Sequence, residues 1–347
     1  MRQLTYIGAD ELRWEEVRDA QLTSDTACVV RPMAVASCDL DGLILAGTSA
    51  FPPPFAIGHE GVGEIVDLGD AVNDFGVGDR VSIPFQISCG TCPACLSGRT
   101  SNCQSVPRAS TYGFGPQVKE WGGFLSDLVC VPFADHMLVP VPMRVPSVMA
   151  ASASDNIVDG WRAVGPFLQR NPGAEVLVVG GFGPGSIGLY AVATAIAEGA
   201  SRVVSLDADA RRNGIAAALG AHVVAAEPWP RRLGPFPITV DACGTPEALS
   251  LAIRSTAPDG NCTSTAIYFD NRGELPLLEM YEKVITFKTG RTHARPHIPR
   301  VLSLLESGSL AADAVTTRTV DWADAPAALV ERDWVKLVIE RPALISN

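Results

Sequence analysis

No stretch of the 347 residues reaches the roughly 18 uninterrupted apolar residues of a membrane-spanning helix, so no membrane span is expected. The opening segment, MRQLTYIGADELRWEE, has no apolar core of the kind that marks a secretory signal, and a cytoplasmic location is expected. Positive charge is scarce. Lys and Arg number 27 against 38 Asp and Glu, a net charge of -11. With no basic cluster to neutralise phosphates, a nucleic-acid partner is not expected. Histidine is rarer still, at five residues, so one that falls inside a motif carries weight. There is no internal repeat and no low-complexity tract. What is present is hydrophobic material, 47% of the chain, which is ample for sizeable cores and, at this length, for two domains.

Cysteine is the abundant reactive residue, at nine. Four are crowded together as Cys89, Cys92, Cys95 and Cys103, with the spacing C-x2-C-x2-C-x7-C. Short loops carrying glycine and proline let four sulfurs converge, which suits one tetrahedral zinc. With every position taken, such a zinc is structural. An iron–sulfur cluster or unrelated thiols are the alternatives.

The stretch Glu175 to Asp207 organises the second half. Val176 to Val179 is a short apolar run, as in a strand buried on both faces. Gly183, Gly185 and Gly188 make a GxGxxG turn, and a helix-period segment follows from about Ile187 to Glu198. A second buried strand, Arg202 to Leu206, ends at Asp207. Glycine lets the backbone turn tightly and approach a pyrophosphate, and the helix start offers free N–H groups. Asp207 suits the ribose hydroxyls of NAD and would repel a 2′-phosphate, which disfavours NADP. The candidate cofactor contacts are Gly181, Gly183, Gly185, Ser186, Ile187, Gly188, Asp207 and Arg212. A plain strand–helix turn is the alternative, and for Asp209, Arg211 and Arg212 it is a solvated helix face. Gly180 and Gly181 make the loop about two residues longer than the usual form.

Residues 1 to 85 read as short strands and turns, with Pro52-Pro53-Pro54 forcing an extended loop before Gly58-His59-Glu60-Gly61. The GHE sequence, the four-cysteine lobe and the glycine turn occur in that order. Together they resemble the zinc-containing medium-chain alcohol dehydrogenase family over nearly the whole chain. Val77-Gly78-Asp79-Arg80-Val81 resembles that family's GDRV turn, and Ile238 to Gly244 its VIDxxG strand. The resemblance implies an α/β chain: a GroES-like β-rich catalytic domain (1–156 and 296–347) and a doubly wound, parallel-sheet Rossmann domain (157–295). Ala257 to Gly260 resembles a turn into a strand near the nicotinamide, and Trp334 to Ile339 the last catalytic-domain strand.

The resemblance also implies a second zinc, catalytic, with one coordination position open. His59 is its expected ligand and Glu60 lies beside the site. Asp155 is the expected third ligand, with Asp159 the weaker alternative and a helix-start carboxylate the plain one. The first ligand departs from the family's C-G-[ST]-D. Counting from Asp39 puts Ala36 at the ligand position; counting from the cysteine keeps Cys38 as ligand, with Leu40 where a relay hydroxyl belongs. Cys38 is favoured because thiolate suits zinc. Asp41 stands where a relay histidine often does, either passing protons or as a solvated loop residue. Arg291 or Arg295 is a candidate cofactor contact, and Phe51, Phe55, Phe85, Gln86 and Trp121 are candidate pocket residues.

The expected reaction is hydride transfer between NAD(H) and an alcohol, aldehyde or ketone, in a homodimer or homotetramer. The rivals are a zinc-independent reductase of an imine, activated alkene or other polarised bond, and a non-catalytic NAD(H)-binding protein.

Overall fold

A computed structural model describes residues 1–115, 118–181, 183–225, 228–269 and 272–342. The chain divides into two compact units: Met1–Asp155 with His293–Glu306 and Thr316–Asn347, and Asn156–Thr292 with Ser307–Val315. The segment 307–315, read from the sequence as part of the first domain, thus packs with the second.

The first unit is built on a seven-stranded sheet. Its central strand, Cys28–Ala36, runs antiparallel to Glu60–Leu68, with Ala36 opposite Glu60 and Cys28 opposite Leu68. Alternate residues of this pair, including Cys28, Val30 and Ile65, enter one large apolar core with Ile44, Leu45, Tyr112 and Phe124. On the other side, Leu337–Glu340 pairs antiparallel with the same strand, Val338 opposite Ala36. The register has a consequence for chemistry. The residues just past Ala36 and just before Glu60 are neighbours across the sheet end, so Cys38 and His59 meet although 21 positions apart.

Among the described residues the second unit carries six parallel strands. Their spatial order is His222–Ala225, Val203–Asp207, Val176–Val179, Phe236–Asp241, Thr256–Ser264 and Thr286–Lys288, or 3-2-1-4-5-6 in chain order. That is the doubly wound arrangement, whose topological switch lies between its first and fourth strands. Both faces are covered. Val176 and Val178 pack with Ala163, Val164 and Leu168 on one side, and Leu177 and Val179 with Leu249 and Ala252 on the other. This is why the strand sequence is unbroken rather than alternating. The helix after the glycine turn is Ser186–Ala197 and the second strand is Val203–Asp207, each displaced one residue from the sequence reading. Ala257 to Gly260 lies inside the fifth strand, as an excursion in which Asp259 has φ +55 and the pairing slips. Among the described residues no helix is long and apolar enough to cross a membrane.

Candidate metal centre and dinucleotide turn

Cys38, His59 and Asp155 each offer a ligand atom within 4.8 Å of the others'. All three are buried, at 6%, 1% and 7% exposure. Cys38 precedes the short helix Asp39–Leu45, whose Leu40, Ile44 and Leu45 anchor it in the core. Asp155 follows a 3-10 turn, Ala151–Ser154, tied to the central sheet by Gly61 N donating to Ser154 Oγ at 2.9 Å.

The His59 ring lies between two carboxylates. Nε2 is 3.4 Å from Asp155 Oδ2, and Nδ1 is 3.8 Å from Asp41 Oδ1. Neither contact counts as a hydrogen bond, and among the described residues both ring nitrogens are buried without a hydrogen-bond partner. Buried polar atoms normally have partners, and orphaned nitrogen beside a thiol and a carboxylate fits a metal ion. The charges fit as well: thiolate, carboxylate and neutral imidazole balance a dication. The surroundings favour the protonated forms of Cys38 and His59. Burial, then Asp155, Asp41 and Glu60, push the Cys38 thiol well up. Burial pulls His59 down, but Asp41, Asp155 and Glu60 outweigh it and leave it raised. A metal ion would displace these protons.

Asp41 is 2% exposed, and its Oδ2 accepts Cys38 N at 2.8 Å. The solvated-loop reading of Asp41 is therefore corrected. It is a buried acid that holds Cys38 N and lies beside the His59 ring. Glu60 is fully buried, and its Oε2 lies 2.6 Å from Lys336 Nζ, which also donates to Ser37 O. Burial pushes Glu60 up to about 8 against the pull of Lys336.

Cys89, Cys92, Cys95 and Cys103 converge in the same way, each sulfur within 4.8 Å of the others. Backbone N–H groups of Cys92 and Gln104 donate to the sulfurs of Cys89 and Cys92, both at 3.4 Å. Burial opposes ionisation of Cys89, but its hydrogen bonds with Ser105 and Thr91 bring it down to about 5. A four-thiol set with N–H···S support has the chemistry of a closed zinc site.

In the second unit the turn closes only with glycine. A Cβ on Gly181 would sit 2.3 Å from Gly185 Cα, and one on Gly180 would sit 2.5 Å from Asp207 Cγ. The extra glycines thus let the chain pass between the helix start and the acidic strand end. Gly183 has φ +57 and open space beside it, and Gly185 caps the helix with φ +74. Ser186 is buried and its Oγ donates to Asn156 Oδ1 at 3.0 Å. Asp207 carries Arg212 in a two-pronged ion pair at 2.7 and 2.8 Å. Arg211 is exposed, as a helix-face residue is, whereas the Arg212 side chain is largely buried against Asp207.

A GroES-like domain of alcohol dehydrogenases matches residues 24–143. A probable zinc-binding alcohol dehydrogenase of Mycobacterium tuberculosis is 31% identical over 92% of this chain and 82% of its own. The chain belongs to the zinc-containing medium-chain alcohol dehydrogenase family. L-galactonate-5-dehydrogenase of Escherichia coli is 28% identical over 90% of this chain and 89% of its own. An alcohol dehydrogenase from Thermus sp. ATN1 superposes with TM-score 0.88 at 26% identity, covering 99% of this chain and 100% of that one.

Against this family frame the remaining candidates separate. Ala36 lies within its strand opposite Glu60, so the cluster uses Cys38. Asp159 is ion-paired with Arg162 and is not in the cluster. Phe85 and Phe51 join an aromatic group beside His59 of the three-donor cluster. Phe114, which sequence reasoning missed, is its middle member, with its ring 4.6 Å from His59, 5.8 Å from Phe85 and 5.6 Å from Phe51. Phe55 instead packs on Tyr6 in the core, at 5.2 Å. Gln86 is 1% exposed and its Oε1 accepts Ala294 N, a structural contact. Trp121 is half-buried against the same core. Arg295 donates to His136 O within the first unit, and Arg291 is exposed.

Proposed function

We propose that this oxidoreductase transfers hydride between NAD(H) and an alcohol, aldehyde or ketone, with Cys38, His59 and Asp155 holding a catalytic zinc and Cys89, Cys92, Cys95 and Cys103 a structural one. The observation that carries the reading is the buried three-donor set with both His59 nitrogens orphaned, a donor count that leaves a tetrahedral zinc one non-protein ligand.

Zinc held there supplies a Lewis acid for the substrate oxygen, and NAD(H) supplies the hydride acceptor or donor. The chain's own residues prepare that site. Cys38 and Asp155 bring two negative charges, and His59 a neutral donor whose Nδ1 side faces Asp41. Lys336 holds Glu60 by an ion pair, which restrains it from taking the open position. Leu40 has no hydroxyl, so it takes no part in moving the substrate proton.

In the same proposal, residues 1–156 and 296–347 form the catalytic domain and 157–295 the dinucleotide-binding one, with Gly181, Gly183, Gly185, Ser186, Ile187, Gly188, Asp207 and Arg212 lining the cofactor site. A homodimer or homotetramer is part of it, supported by the exposed Leu277, Leu278, Tyr281 and Val284 beside the edge strand Thr286–Lys288. So is a cytoplasmic location, since a four-thiol zinc site needs reduced cysteines.

The test is zinc content of the wild type beside Cys38→Ala, with NADH formation from a panel of alcohols. About two zinc ions per chain falling to about one, with turnover lost, supports the reading. One zinc in both proteins overturns it and leaves the zinc-independent reductase.

A further inference from the structure

Asp155 is held along the chain from both sides. Ser154, just before it, accepts Gly61 N through its Oγ at 2.9 Å. Asn156, just after it, opens the helix Asn156–Arg170, and its Oδ1 accepts the Ser186 hydroxyl at 3.0 Å. Asn156 and Ser186 are both fully buried. Ser186 is the first residue of the helix Ser186–Ala197, directly after Gly185 of the glycine turn. One hydrogen bond thus joins the neighbour of a metal-cluster carboxylate to the helix start whose N–H groups suit a pyrophosphate.

The two helices are fastened as one body. A Cβ on Gly160 would sit 2.7 Å from Ala191 N, so their backbones touch with no side chain between them. Trp161 Nε1 donates to Glu198 Oε1 at 2.9 Å, just past the end of the second helix. Close-packed backbones and a buried polar bond pass a displacement on rather than absorb it. One arrangement of this helix pair gathers the three donors and closes the glycine turn together. A ligand that favours this arrangement at either place favours binding at the other by the same factor. We propose that Asn156 and Ser186 are positioning residues that couple dinucleotide binding at the glycine turn to metal binding by Asp155, each tightening the other. The inference rests on the proposed dinucleotide turn and catalytic zinc.

The test is chelator competition on the full chain, zinc release read by a responsive dye, with and without saturating ADP-ribose. This probe carries the pyrophosphate but no nicotinamide, so a change in zinc release cannot come from that ring. Wild type with ADP-ribose bound is expected to need about fivefold or more chelator to lose the zinc of the three-donor cluster, with the four-cysteine zinc unmoved. Stripping the first zinc should weaken ADP-ribose by the same factor in titration calorimetry. In Ser186→Ala and in Asn156→Ala the two release curves, with and without ADP-ribose, should fall within about twofold of each other. A wild-type shift that persists undiminished in both variants overturns the proposal and makes the bond only a support for the helices. So does a wild type that binds zinc and ADP-ribose independently, and that comparison decides alone where a variant does not fold. A single zinc in the wild type, or no ADP-ribose binding, defeats the underlying reading and the proposal together.

Discussion

Asp41→Asn separates what the acid does for the fold from what it does for the metal centre. Asp41 Oδ2 accepts Cys38 N at 2.8 Å, a bond the Asn amide oxygen can keep. Asp41 Oδ1 lies 3.8 Å from His59 Nδ1, and that interaction depends on charge. Two full charges at such a distance interact by about 4 kcal/mol at an effective dielectric of 20, an upper bound because the ligating ring is neutral. Changes in acids that orient metal-binding histidines weaken metal binding by about 10- to 100-fold. That corresponds to about 1.4–2.7 kcal/mol and sits below the bound. The fold should hardly notice. Burial raises Asp41 above the usual carboxylate range, so a neutral side chain there relieves a desolvation cost. Asp41→Ala also loses the bond to Cys38 N at the helix start, a further cost of about 1 kcal/mol. The assay is competition with a graded chelator, read by a zinc-responsive dye, beside a denaturant unfolding curve. The four-cysteine site is the internal control. Asp41→Asn should release one zinc about 10- to 100-fold more readily and the other unchanged, with the unfolding midpoint held. An unchanged release curve, or equal weakening of both ions, would refute the bracing role.

Two further outcomes test the lobe and the assembly. Gly90 has φ +79, and a Cβ there would come within 2.5 Å of the His136 ring, so Gly90→Ala strains the lobe by at least the ~1–2 kcal/mol of a left-handed residue. A structural zinc is worth about 10–16 kcal/mol, so the variant should keep its zinc in plain buffer but surrender it at about tenfold or more lower chelator concentration. Zinc already missing from the purified variant, or a chelator curve matching wild type, would show the strain misjudged. Leu278 and Tyr281 are 69% and 83% exposed, and Leu278→Glu with Tyr281→Glu should lower the mass seen by sedimentation while the melting of a single chain holds. A wild type that sediments as a monomer removes the homo-oligomer from the proposed function.

What the sequence made legible was local. The four cysteines lie within fifteen positions, and the GxGxxG turn with its flanking strands within about thirty, so spacing alone brings their atoms together. The doubly wound sheet around that turn was expected from the family resemblance, and the residues alone showed only its first strand–turn–helix–strand unit. What it hid was decided by distant register. Lys336 meets Glu60 across 276 positions, because Val338 pairs with Ala36 and Ala36 with Glu60. Its only local sign was a lysine set in the apolar run Trp334 to Ile339, which reads equally well as an outward strand position. Phe114 carried no local sign at all, since an aromatic among turn residues has no periodicity to place it. The solvated-loop alternative for Asp41 fell for a subtler reason. The spacing Cys38-x-x-Asp41 was on the page, but whether the acid faces water depends on which side of a seven-residue helix is buried, and a helix that short has too little pattern to say. Asp207 shows the converse. Its place at the strand end was plain from the sequence, yet its charge was not, because a carboxylate selects ligands by its net environment. Arg212, five residues on, changes that environment through side-chain geometry that spacing leaves undetermined.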